Sequence, residues 1–339
     1  MLHCVPLLML LAASTTHAQS AAPDTYQYDG QHLAAVRERA RKGDGQLKVP
    51  LAALEKDAAR ALAIAPMSVM DKGIVPPSGG KHDYMSQAPY WWPDASKPNG
   101  LPYIRRDGDT NPEIQKLPDR TNLGRLGGAV STLGLAHYFL GGDQYAAHAA
   151  HLVRVWFLDS ATRMNPHLKF GQGIPGITQG RGIGLIETRD LVSVLDGIQL
   201  IRGSSAWTAA DEAALQEWMR AFLKWMVESP EGQDESKNGN NHETWYDVQV
   251  VSLALYTGQR DLARKTLDGS RQRIGRQIEP DGRQPRETDR TRGYDYSLFN
   301  LEAFFRLASL GDRLGVDVWN SRTADGRSLR QARTELTLP

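Results

Sequence analysis

Eight stretches of this chain place apolar residues three and four apart, and that pattern limits the fold more than any other feature. They are Leu51–Ile64, Leu123–Gly142, Asp143–Asp159, Arg189–Ile201, Thr208–Ser229, Trp245–Gly258, Gln259–Gly275 and Tyr296–Gly315. Several meet at Gly-Gly or Gly-Gln turns, as in "FLGGDQY" and "YTGQRD". Short turns between long helices make antiparallel neighbours. Strand-like alternation is scarce. The chain is therefore read as all-α, built from helical hairpins packed side by side. With 339 residues, 40% of them hydrophobic, it can bury a large core in one big domain or two ordinary ones.

The first residues, "MLHCVPLLMLLAASTTHA", read as a secretory signal over residues 1–18, which leaves one domain over 19–339. The apolar run Val5–Ala13 is too short to cross a bilayer. Cys4, the single cysteine, lies inside that signal, so the mature chain needs no disulfide. The expected location is the periplasm or outside the cell, with no membrane anchor. A formal net charge of +1 gives no overall field to attract nucleic acid.

Two stretches break the helical pattern: 72–118, rich in Pro, Gly, Asp and aromatics, and 164–187, rich in Gly. Long irregular segments in a compact fold usually carry function. Tyr90, Trp91 and Trp92 lie between two prolines and read as a surface for stacking on sugar rings. Gln172, Gln179 and Arg181 are the glutamine and arginine side chains of the second stretch. "GQGIPG", Gly171–Gly176, matches a dinucleotide fingerprint in letters only, because Pro175 and the further glycines spoil the helix start. His148 and His151 are one turn apart but have no third ligand nearby, so a core or surface role is expected, with no metal and no cofactor.

Two dense clusters remain. "KNGNNHETWYD" sets Asn240, Asn241 and His242 where a loop becomes a helix. They are either a cap or a site held on a rigid support. "RETDRTRGYDYSLFN" sets Arg290 near Tyr294 and Tyr296. Arginine suits bidentate carboxylate capture, and a phenol beside it is expected to ionise more easily. Arg271, Arg273, Arg276 and Arg283 make the region locally basic, which points to a polyanion. In one cleft these groups suit β-elimination on a uronic-acid polymer. Amide and guanidinium groups neutralise the carboxylate, His or Tyr removes the C5 proton, and a Tyr hydroxyl protonates the departing O4.

"NNHETWYD", "KHDYMSQAPYWWPD", "MNPHLKFGQGIPGITQGRGIGLIETRD" and "RETDRTRGYDYSLFNLEAF" resemble the alginate lyase superfamily of polysaccharide lyases. The similarity runs from about Tyr26 to Gln331 and is closest to the mannuronan- and glucuronan-cleaving relatives. It implies an incomplete (α/α) toroid with a long open cleft, acting as a monomer on an acidic polysaccharide. It assigns Asn241 to carboxylate neutralisation, His242 to the adjacent histidine, Arg290 to the family arginine and Tyr296 to the catalytic tyrosine, with Tyr294 as the alternative. Gln179, Arg181 and Tyr90–Trp92 match the substrate-binding loops. The resemblance also implies helices beyond 325–328, so a toroid lacking a closing hairpin is expected. Two other functions compete: a glycan-binding relative without turnover, and a glycoside hydrolase using two of Glu187, Asp196, Glu243 and Asp247.

Overall fold

The structure is a computed structural model and describes residues 22–337. The signal segment and Cys4 lie outside the described residues. The helices are α1 (Gly30–Arg41), α2 (Lys48–Leu62), α3 (Asp119–Leu140), α4 (Asp143–Val153), α5 (Leu191–Ile201), α6 (Ala209–Glu228), α7 (Pro230–Glu235), α8 (Asn241–Tyr256), α9 (Arg260–Gln277), α10 (Pro285–Thr288), α11 (Gly293–Asp312) and α12 (Leu329–Thr337). All eight apolar-patterned stretches are helical. The turns are where the glycines put them: Gly141, Gly142 and Gly258 all have positive φ. Helix α6 starts on a capping box, with Thr208 and Asp211 bonding each other's backbone N–H groups. Helices α1, α7, α10 and α12 lie outside those stretches: α7 and α10 are too short for an apolar stripe, and α1 buries only Leu33.

The helices form an open (α/α) toroid. Helices α3, α5, α8 and α11 pack in succession along the inner arc, and α4, α6, α9 and α12 pack outside them. Inner helices are covered on both sides. Accordingly α8 is buried nearly all round, and so is α5. A helix buried on every face loses the amphipathic stripe that marks a surface helix. Helices α3 and α5 touch backbone to backbone at Gly134 and Gly197. A Cβ on Gly134 would lie 2.7 Å from the Gly197 backbone. The main apolar core runs from Tyr26 to Ala332, with a small second cluster of Leu33, Tyr138 and Leu200. The N-terminal segment straps the main core, because Asp196 on α5 accepts from the backbone N–H of Tyr26 and Gln27, and Arg313, just after α11, donates to the Thr25 carbonyl.

The two irregular stretches lie together at one end of the arc. Strand β1 (Met85–Gln87) of the first pairs in parallel with β4 (Phe170–Gly173) of the second. Within the first, β2 (Trp91–Trp92) pairs antiparallel with β3 (Ile104–Arg105), setting Trp91 opposite Arg105. Buried charge fastens these loops to the helices. Lys72 and Asp119, both fully buried, form an ion pair of 2.9 Å. Lys72 also donates to the Lys81 carbonyl, and the Met85 N–H donates to Asp119. Such a pair is costly to break from one side, because the survivor is left charged and dry. Glu187 does similar work, accepting from the Tyr84 hydroxyl at 2.7 Å and the Ser86 hydroxyl at 2.6 Å.

Candidate active site

The four inner helices begin at the loop-bearing end of the arc, and a cavity of about 450 Å³ opens there. Arg120 sits on the first turn of α3, Arg189 just before α5, Asn240 and Asn241 at the start of α8, and Tyr296 on the first turn of α11. Loops supply Tyr90, Trp91, Arg105, Gln172 and Arg181. Four helix N-termini carry partial positive charge toward this space. Five arginines line it, Arg105, Arg120, Arg181, Arg189 and Arg290, and none of its lining residues is a carboxylate. The lining is strongly basic, a chemistry that suits an anionic group.

At the start of α8 the two asparagines divide the work. Asn240 is the cap: its side chain accepts from the His242 N–H at 3.1 Å. Asn241 is the first helical residue and is buried. Its backbone N–H and its Nδ2 donate to the two oxygens of Glu287, at 2.5 and 2.7 Å. Burial raises the Glu287 carboxyl above its usual range. With Nδ2 committed, Oδ1 is left buried without a partner in a residue that lines the cavity. The fold thus leaves the acceptor capacity of Asn241 Oδ1 unused at the cavity wall. His242 is fixed through Nδ1, which lies 2.8 Å from Oε1 of buried Glu235, whose other oxygen accepts from Asn238 at 2.6 Å. That leaves Nε2 for the cavity.

Arg290 and Tyr296 meet directly. The guanidinium donates to the Tyr296 hydroxyl at 3.0 Å and lies 4.0 Å from its ring centre. The Tyr90 hydroxyl shares a 2.8 Å hydrogen bond with the same oxygen. The expected easier ionisation of this phenol is not found. Burial first, and then the bond to Tyr90, push Tyr296 up to about 12 against the pull of Arg290. The phenol is protonated in neutral solution. Nor is the Arg290 fork open to a substrate, for it grips Asp107 through Nε at 3.1 Å and Nη2 at 2.9 Å. That grip holds the Asp107 carboxyl well below the usual carboxylate range. Asp107 also accepts from Arg105 at 2.7 Å, so one carboxylate sets two arginines.

Several other expectations are corrected. Tyr294 is 61% exposed and stands outside the cavity, because it is two residues from Tyr296 on a helix and points elsewhere. Strand alternation separates the tryptophans. Trp91 lines the cavity, while Trp92 lies under Arg106, 5.0 Å from its ring, and donates to the Asp109 carbonyl. Gln179 is exposed and borders a neighbouring groove, while Gln172 takes the cavity position. Gln172 holds a left-handed backbone, φ 50°, with its N–H on Ser86 and its Oε1 accepting from Arg181 at 2.7 Å. Such a conformation in a residue other than glycine costs about 1 kcal/mol or more and concentrates at sites. Burial and nearby Arg105 pull Arg181 down from its usual value.

The basic cluster is corrected as well. Arg273 is spent on Asp247 and Glu243, Arg276 reaches Glu243, Arg271 meets Asp268 and Arg283 meets Asp281, all away from this cavity. The four carboxylates that a hydrolase would draw on are buried in the scaffold, Asp247 and Glu243 among those arginines and Asp196 on the N-terminal strap. His148 bonds the Ile64 carbonyl and ties α4 to the end of α2. Arg120 and Arg189 are site residues that the motifs do not single out, although a cation at a helix N-terminus opposes the helix dipole and is itself a signal.

Comparison with known proteins supplies the remaining context. A family model described as alginate lyase matches residues 68–337. Among solved structures, an alginate lyase from Bacteroides ovatus is 45% identical, with a TM-score of 0.89 over 93% of this chain and 83% of that one. Alginate lyase A1-III from Sphingomonas species A1 is 16% identical, with a TM-score of 0.59 over 94% of this chain and 79% of that one. A variant of A1-III complexed with tetrasaccharide, also 16% identical, gives 0.61 over 94% and 78%. At that identity the last two speak for the fold alone. A search of curated proteins gives no match. The match over most of the chain, together with the B. ovatus structure, places the arginine-lined cavity in a known lineage: the chain belongs to the alginate lyase family.

Proposed function

We propose that this chain cleaves a uronic-acid polymer, polymannuronate or glucuronan before polyguluronate, by β-elimination. The observation that carries the proposal is a single phenol oxygen, that of Tyr296, held between Arg290 and Tyr90 in a cavity with five arginines and no lining carboxylate. A hydrolase needs two carboxyl groups across the bond, and this cavity offers neither. A non-catalytic binder has no use for a half-buried phenol aligned by two hydrogen bonds.

Arg181, Arg120 and Arg189 bind the uronate carboxylates. The Asn241 Oδ1 accepts from the carboxyl group at C6 when it carries a proton, which holds that group neutral and makes the C5 hydrogen more acidic. His242 Nε2 takes the C5 proton. The electron pair forms the C4–C5 double bond as the C4–O4 bond breaks. Tyr296 gives its proton to O4, which leaves as a hydroxyl on the other fragment. The new chain end is a 4,5-unsaturated uronyl residue.

A second reading has its own observation. Arg290 and Tyr90 both hydrogen-bond the Tyr296 oxygen, an arrangement that also stabilises a phenolate, so on a sugar whose C5 hydrogen and O4 lie on the same side Tyr296 can serve as base and acid in turn. His242→Ala separates the two. If His242 is the only base, the variant loses both polymannuronate and polyguluronate cleavage. If Tyr296 serves both roles, polymannuronate cleavage survives, since only guluronate places the two groups on opposite faces.

The reaction class is tested by ultraviolet absorbance of the unsaturated product, using polymannuronate, polyguluronate and glucuronan in parallel. New reducing ends without that absorbance would mean hydrolysis, and binding without either would mean a lectin-like protein. Trp91 and Trp92 give a companion result. Trp91→Ala should raise KM roughly fivefold, corresponding to about 1 kcal/mol of lost ring contact. Trp92→Ala should leave KM near the parent value. Equal effects in initial-rate measurements would mean that the strand is disturbed as a whole.

A further inference from the structure

Behind the loop that leads into α8, where Asn241 and His242 stand, lies a second cavity, of about 510 Å³. Loop residues 236–240 form the wall between the two. Asn240 faces the first cavity, while Lys237 and Gly239 face the second. Across the second cavity stand Gln272, Arg273 and Arg276 of α9, Arg286 of α10 and Glu243 of α8. Four cations thus line it against one carboxylate.

The pairing decides what remains available. Arg273 is consumed by Asp247, which accepts from its Nε and Nη2, and it also meets Glu243. Arg276 reaches Glu243 at 3.3 Å and is otherwise open to solvent. Arg286 donates to the Asn238 carbonyl at 2.9 Å and lies flat on Gly239, where a Cβ would come within 2.4 Å of its Nη1. No carboxylate pairs with Arg286 or with Lys237 among the described residues. The nearby acid Asp268, on α9, is engaged by Arg271. The wall of the active site therefore carries uncompensated positive charge on its far side.

We infer that this second cavity binds carboxylates of the polyuronate chain outside the catalytic cavity, a reading that rests on the proposed substrate class. Lys237, Arg276 and Arg286 take the anionic groups of sugars beyond those in the cleft. A polymer long enough to cross the loop is held at two places, so the second hold raises affinity without touching the reacting bond. A fragment of a few sugars reaches only the first cavity.

Lys237→Glu tests this, since the Lys237 ammonium makes no hydrogen bond that the fold needs. In a Tyr296→Phe background, which spares the polymer, mobility is measured in gels containing polymannuronate or glucuronan and in a gel containing a neutral glucan. The reversed charge should weaken retardation in the acidic gels about three- to tenfold in apparent Kd at low salt. Lys237→Arg should restore it. With Tyr296 intact, Lys237→Glu should raise KM on long polymer and leave kcat/KM on a trisaccharide unchanged. Unaltered retardation would overturn the inference, and so would an equal loss on trisaccharide and polymer, which would mark a disturbed catalytic loop. The parent protein's absorbance assay fails separately: no unsaturated product from any polymer defeats the lyase reading, whereas the gels report this site with or without turnover.

Discussion

Tyr296→Phe should lower turnover by about 10²–10⁴, the range for a lost general acid, and leave polymer affinity nearly unchanged. The substitution removes one oxygen and keeps the ring over which Arg290 lies at 4.0 Å. It also removes the acceptor of the Arg290 bond and the partner of Tyr90. Asp107 still grips Arg290 from the other side, so the guanidinium stays in place. The measurements are kcat by product absorbance and retardation in an acidic-polymer gel. Retained turnover with lost binding would make Tyr296 a subsite residue. Tyr294→Phe is the natural control. Its exposed side chain predicts parent-like rates, although it sits only two residues away.

Asn241→Ala should lower kcat about 10²–10³, the usual cost of losing one group that manages charge in the transition state. It should also cost stability. Glu287 keeps the backbone N–H of residue 241 but loses the Nδ2 bond while remaining buried, a penalty of about 1–3 kcal/mol. Asn240→Ala provides the contrast. It removes a helix cap, about 1 kcal/mol, and should leave kcat far closer to the parent value. Thermal melts beside initial rates distinguish them. If both variants lose stability alone, the pair is only a helix start, and the carboxyl group must be neutralised by arginine.

The fold is legible in the sequence because helix periodicity and glycine turns are local properties. Leu123, Leu126, Val130 and Leu133 lie one helical turn apart and all end in the core. The site is legible in part. Asn241, His242, Arg290 and Tyr296 sit close along the chain to other polar residues that no helix needs, and the structure brings them to one cavity. What escapes is pairing at a distance. No local pattern says that Arg290 spends its fork on Asp107, 183 residues away, or that the asparagine after the cap is clasped by Glu287. The phenol's ionisation is misjudged for a related reason: a neighbouring charge is visible in a sequence, while burial is not. Trp92 is misread because the alternation of a two-residue strand is too short to reveal a face.

The convergence of four inner-helix starts on one cavity has a consequence for how such an enzyme changes over time. Asn241, His242 and Tyr296, the groups proposed to handle the proton and the carboxyl group, stand on helix ends locked into the core, where a shift in one costs the packing of the whole arc. Trp91, Arg105, Gln172 and Arg181 stand instead on two strand-paired loops fastened by Lys72, Asp119 and Glu187. The architecture thus separates inheritance of the chemistry from inheritance of taste. On the proposed mechanism, a change in the loops is expected to alter which sugar is preferred and leave the helix-borne chemistry in place.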